Sequence, residues 1–159
     1  MKVRLWQFVA AIALGGTGPA TGAEIPADVK AALEQAGEWE LYSLHPEQKK
    51  DAPKEAFHNW RVLGKTTVKD ADTRKKLLDA LANGAKDNDG KVADCFNPRH
   101  GIRVKTGDKT IDLVICFECY QTEIYVADKK AGGYNTERSP QPALDKVLTD
   151  AKVPLPKDR

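Results

Sequence analysis

Sulfur is scarce in this chain: its 159 residues include three cysteines and one methionine. Three cysteines cannot all pair within one chain. One disulfide leaves a thiol over, a metal can hold all three, or the odd thiol can bridge to another chain. Charge of one sign is also lacking. Lys and Arg number 25 against 23 Asp and Glu, and both extra cations, Lys2 and Arg4, lie in the first 23 residues. A nucleic-acid binder carries a basic surplus on one face, so that class is excluded. Nothing in the charge balance favours an anionic membrane surface either. There is no Gly-rich phosphate loop and no paired-carboxylate motif. No complete set of nucleophile, base and orienting group can be assembled, so the reading leans away from an enzyme.

The one sustained apolar run, LWQFVAAIALGG, follows the basic start MKVR and precedes the small residues TGPATGA. Those three parts form a secretory signal peptide, with Thr21 and Ala23 placed as the −3 and −1 positions of the cleavage site. The run is too short to span a bilayer of about 30 Å. Residues 1–23 are therefore expected to be removed, with no stable membrane insertion afterwards. The remainder, residues 24–159, suits a single domain in the periplasm or outside the cell. That compartment is oxidising and lets thiols pair.

Periodicity then gives the fold class. PADVKAALEQAG has helical spacing, EWELYSL and FHNWRVLGKTTV read as strands, and KDADTRKKLLDALANGAKDND is the clearest helix. In that helix Asp70 or Asp72 is the cap, and Gly84 or the NDG turn is the stop. VADCF looks extended. The stretch from Ile102 to Ala127 reads as two alternating runs around a Gly107-Asp108 turn. DKKAGGYNTERSPQP reads as a long loop, and ALDKVLTDAK as a closing helix. The order predicts an α+β domain: an antiparallel sheet of about five strands with helices packed on one face. A two-residue turn at Gly107-Asp108 pairs Ile102 with Leu113 and Val104 with Ile111 on one face. It pairs Arg103 with Asp112 on the other, and it sets His100 opposite Ile115.

The cysteine window falls at the far end of this hairpin. Its spacing is C-x4-H-x15-C-x2-C, from Cys95 through His100 and Cys116 to Cys119. Three thiolates and an imidazole suit tetrahedral zinc, with Zn–S near 2.3 Å, and soft thiolates also suit copper(I). The alternative is a structural disulfide, Cys95 to Cys119 or Cys95 to Cys116, with the third thiol buried. A third reading is a thiol-based redox or nucleophilic cysteine, with Arg99 as a nearby cation and Glu118 orienting His100. Residues three apart on a regular strand face opposite ways, so Cys116 and Cys119 act as a pair only across a bulge. His45 and His58 read as packed or surface histidines. Trp39, Tyr42 and Trp60 read as sheet aromatics, and Arg74, Lys75 and Lys76 as a solvated helix face.

The segments CFNPRHGIRV and DLVICFECYQ, with FHNWRVLGKTTVKDA and SPQPALDKVL, resemble a group of bacterial exported proteins carrying paired C-F-x-P-R-H-G-I and I-C-F-E-C motifs. The resemblance covers most of residues 24–159. It implies export and treats the window as a unit, and it brings no activity, cofactor or residue role with it. The sequence thus points to a small exported binding protein whose Cys/His window takes a transition metal or a protein or small-ligand partner. The alternatives are a disulfide-stabilised interaction domain and a thiol redox protein.

Overall fold

The computed structural model describes residues 24–47 and 55–157. The expected signal peptide, residues 1–23, lies outside the described residues, as do residues 48–54 of the polar loop. Among these described residues three helices, α1 (Ala27–Gln35), α2 (Ala71–Asp87) and α3 (Gln141–Asp150), accompany seven strands. The strands are β1 (Trp39–Leu44), β2 (Ala56–Phe57), β3 (Trp60–Val68), β4 (His100–Thr106), β5 (Lys109–Cys116), β6 (Gln121–Val126) and β7 (Lys129–Asn135). They form one antiparallel sheet in the order β2-β3-β1-β4-β5-β6-β7. The fold class is therefore α+β, as the periodicity predicted, with seven strands in place of about five.

Each helix buries one stripe against the same sheet face. Val29 and Leu33 of α1, Leu77 and Leu81 of α2, and Leu144 and Leu148 of α3 share a core with Trp39, Leu41, Ile102, Leu113 and Ile115. Burying one such aliphatic side chain contributes roughly 1.5–3 kcal/mol, so this layer dominates the stability. Helix α2 starts where Asp70 accepts the Thr73 N–H at 2.7 Å. Gly84 does not stop the helix. It lies inside, where an added Cβ would sit 2.4 Å from Pro140 Cγ, and its bare backbone lets Glu137 N–H reach the Gly84 carbonyl at 2.7 Å.

The other sheet face carries a smaller cluster of Tyr42, Leu44, Phe57, Trp60 and Val114. The β2–β3 hairpin folds over it. Phe57 pairs with Trp60 across His58 and Asn59, which both take positive φ, 50° and 71°. That is the backbone of a type I′ turn, whose twist matches the strands. Phe57 stacks on Tyr42 with ring centroids 4.3 Å apart. Gly101 on β4 makes room beneath, since a Cβ there would lie 2.6 Å from Phe57 Cε1.

The β4–β5 register follows the sequence argument: His100 faces Ile115, Ile102 faces Leu113, Arg103 faces Asp112 and Val104 faces Ile111. Three expectations fail. VADCF, residues 92–96, forms no strand, and the expected loop after Ala127 contains β7. The run ICFECYQTEIYVA is two strands, with a turn over residues 117–120 between β5 and β6. That turn has no Gly, Pro, Asn or Asp, and Tyr120 itself adopts φ 59°. β-favouring residues therefore run straight through the reversal and conceal it.

Candidate functional site: three sulfurs at one turn

Strand β5 ends at Cys116, and the turn that follows brings Cys119 back beside it. The two form a disulfide with an S–S distance of 1.97 Å. The geometric objection to a Cys116–Cys119 pair assumed a continuous strand, and the turn removes it without a bulge. Both cysteines are fully buried. Cys95, in the extended segment before β4, keeps a free thiol and is exposed. Its Sγ lies 3.3 Å from Cys119 Sγ. The two pairings expected from the sequence, Cys95 with Cys119 or with Cys116, are thus not the ones bonded, although Cys95 does meet Cys119.

Backbone bonds clamp this arrangement. Ala93 N–H donates to the Cys119 carbonyl at 3.1 Å, and Gln121 Nε2 donates to the Ala93 carbonyl at 2.7 Å. Thr136 N–H reaches the Tyr120 carbonyl at 3.1 Å, and the Arg138 guanidinium sits 5.1 Å above the Tyr120 ring. Two main-chain donors point at sulfur. Asn97 N–H approaches Cys119 Sγ at 3.2 Å, and Cys119 N–H approaches Cys116 Sγ at 3.1 Å. A hydrogen bond to sulfur favours its anionic form, so these donors stabilise charge developing on either atom.

The four expected metal ligands do not converge. His100 shares the helix-facing side of the sheet with Ile102 and Ile115, one position out of phase with Cys116. It is 1% exposed, its Nε2 pairs with Asp145 Oδ1 of α3 at 2.8 Å, and its ring meets the Phe117 edge. Glu118 does not orient it. Glu118 pairs instead with Arg99, whose guanidinium lies 3.2 Å from its Oε2. Where zinc or copper(I) would need thiolates from Cys116 and Cys119, this arrangement has a disulfide. Alternation alone set His100 and Cys116 on opposite faces, but their nearness across the hairpin hid that.

A second polar centre lies on the face of the smaller cluster. Asp112 of β5, 1% exposed, accepts from Arg103 Nε at 2.8 Å and from Arg103 Nη2 at 2.6 Å. Its Oδ2 also lies 2.6 Å from His58 Nε2 at the hairpin tip, and His58 stacks on Tyr125 at 3.8 Å. The bidentate partner pushes the Arg103 pKa above its ordinary value. Burial, then the hydrogen bond to Glu123, pushes the Tyr125 phenol up. Burial and Glu40 do the same for Tyr42. His58, Asp112 and Asp128 are the one group among the described residues close enough to share a cation. The Arg103 fork already holds both Asp112 oxygens, so an ion pair occupies that place. Sequence register found the Arg103–Asp112 pair. It missed His58, although an Asn at a hairpin tip, with its tolerance for positive φ, was the available signal.

An open cleft of about 610 Å³ adjoins the sulfur turn. Its walls include His45, Arg61, Asn97, Arg99, Glu118 and Lys157. No helix among the described residues is long and apolar enough to cross a membrane. No family model, curated protein or solved structure matches the chain.

Proposed function

We propose that this chain is an exported thiol–disulfide exchange protein, with Cys95 as the entry thiol and Cys116–Cys119 as the stored disulfide. The observation that carries the reading is the 3.3 Å approach of the free Cys95 Sγ to Cys119 Sγ. That distance falls within the roughly 3–3.5 Å of a near-attack arrangement. The Cys95 thiolate attacks Cys119 Sγ, the Cys95–Cys119 bond forms, and the Cys116–Cys119 bond breaks. Cys116 leaves as a thiolate held by the Cys119 N–H and then takes a proton. One disulfide replaces another, with no net oxidation.

Cys95 is exposed while the stored pair is buried, so Cys95 is the route between them and a partner. A substrate thiolate attacks Cys95 Sγ in the rearranged form and releases Cys119. A second substrate thiolate then displaces Cys95. The substrate dithiol loses two electrons to become a disulfide, and Cys116 and Cys119 become thiols. The reverse sequence reduces a substrate disulfide. A disulfide fits an oxidising compartment, which supports the export reading from residues 1–23. Likeness to the exported group with paired C-F-x-P-R-H-G-I and I-C-F-E-C segments belongs to the same proposal.

Disulfide mapping tests it. Protein trapped by rapid acid quench and alkylation is expected to give both a Cys116–Cys119 and a Cys95–Cys119 linked peptide. Cys116→Ser, given a mild oxidant to take up the two electrons, should convert fully to the second. Detection of Cys116–Cys119 alone in the parent, with two free thiols in Cys116→Ser under mild oxidant, would refute the exchange.

A further inference from the structure

We infer that the open margin of β3 pairs with β3 of a second copy of this chain, antiparallel about a twofold axis at Thr66. The inference does not depend on the exchange reading.

Strand β2 covers only Trp60 and Arg61 of β3, and Val62 N–H adds one bond to the Glu55 carbonyl at 3.1 Å. Beyond that point β3 has β1 on one side and no strand on the other among the described residues. The direction of the backbone shows which groups are left open. Leu44 N–H donates to the Arg99 carbonyl at 2.9 Å and so points away from β3. Its neighbour Ser43 therefore turns toward β3, where it faces Gly64. Alternation along β3 then points the N–H and C=O of Lys65 and Thr67 outward, and those of Thr66 inward to β1. The outward groups have no hydrogen-bond partner among the described residues. A row of that kind is a template for another strand.

The occupant follows from register. In an antiparallel pair, residues that exchange hydrogen bonds stand opposite each other. Outward residues of one copy must therefore meet outward residues of the other, so the axis falls on a residue and not between two. Centred on Lys65, it opposes Lys65 to itself. Centred on Thr67, it opposes Lys65 to Lys69. Like charges directly opposite each other are destabilising. Centred on Thr66, it sets Lys65 against Thr67, Thr66 against Thr66 and Gly64 against Val68. That register opposes no like charges and gains a Thr–Thr pair. Charge agrees with it. Glu40 of β1 stands opposite Thr67, so the second copy's Lys65 joins the row that holds Glu40. Glu40 already binds its own Lys65 at 2.5 Å, so each copy's lysine enters balanced. The register shift of the β1–β3 pair lies before Gly64, and residues 64–68 include no proline. One strand thus matches itself, as a twofold contact requires.

Sedimentation velocity over a concentration series reads the association. The Cys95→Ser form is used, so that no disulfide between copies contributes. The contact is short, so a reversible dimer is expected. Thr67→Pro removes an outward N–H and no bond to β1, and should weaken the dimer about tenfold or more while urea unfolding stays cooperative. Register is read separately by crosslinking under mild oxidant. Thr66→Cys faces itself at a non-hydrogen-bonded position, with Cα atoms about 4.5 Å apart, within disulfide reach. It should form a covalent dimer about tenfold faster than Lys65→Cys or Thr67→Cys. A chain that stays monomeric throughout the series would overturn the inference, and would leave the margin to residues 48–54 or to a strand of another protein. A dimer indifferent to Thr67→Pro would overturn it as well. Equal crosslinking at positions 65, 66 and 67 would do the same, even if Thr67→Pro fails to fold.

Discussion

Removing one sulfur at a time separates the two bridges by their loops. Cys116 and Cys119 lie 3 residues apart, whereas Cys95 and Cys119 lie 24 apart. In the chain-entropy treatment a bridge stabilises by restricting the unfolded chain, and the effect grows with the logarithm of the loop. The short loop gives ~2 kcal/mol and the long one ~3.5 kcal/mol. Two variants isolate them: Cys95→Ser can form only the short bridge of the native structure, and Cys116→Ser can close only the long one by way of the 3.3 Å contact. Each is compared with itself before and after reduction, so the cost of the substitution cancels. Urea unfolding followed by tryptophan fluorescence suits the purpose, because Trp39 lies in the helix-side core and Trp60 in the smaller cluster. Reduction should lower the stability of Cys116→Ser by ~1.5 kcal/mol more than that of Cys95→Ser. A Cys116→Ser protein indifferent to reductant would refute the reasoning, since it would mean that Cys95 and Cys119 do not bond despite their contact.

Asp112→Asn should cost about 2–4 kcal/mol in urea unfolding, because it strips a buried carboxylate from Arg103 and His58 together. A loss below 0.5 kcal/mol would show that the hairpin tip is held by its aromatic stacking instead. Burial pushes the Tyr134 phenol up from 10.0 to about 12, so the folded state keeps that proton longer than the unfolded chain does. The resulting stability is fully present below pH 10 and is lost as pH rises toward 12. The loss is worth ~3 kcal/mol, and Tyr134→Phe should flatten the alkaline slope by that amount. Gly101→Ala should destabilise by roughly 1–3 kcal/mol, since its Cβ meets Phe57 at 2.6 Å. Pairing it with Phe57→Leu should recover part of the loss in the same assay.

What the sequence made legible follows physical lines. The β4–β5 register could be counted because an apolar pairing and a charge pairing agreed, and Gly107, with φ 56°, marked the turn. Alternation also carried the information that His100 and Cys116 diverge, yet the spacing of potential ligands suggested convergence. Strand β7, KKAGGYN, has one buried residue, Tyr134, and so no apolar period by which to find it. The turn at 117–120 escaped notice because Phe117 is buried and Tyr120 takes an unusual φ for an aromatic. Asp145 could not be paired with His100 across 45 residues, since nothing local specifies how α3 sits on the sheet.

The ends of the sheet bear on how copies of this chain meet. A sheet's last strand offers unpaired backbone groups to any neighbouring strand. Here one margin is β2, two residues long, which covers only Trp60 and Arg61 of β3 and leaves Val62 to Val68 without a strand partner on that side among the described residues. The other, β7, begins with Lys129 and Lys130, and its register slips opposite Ile124 and Tyr125. At β7, lysine and a break in register each discourage strand addition. Strand addition is therefore discouraged at the β7 margin, and the stretch of β3 beyond Arg61 is where a second copy could add a strand.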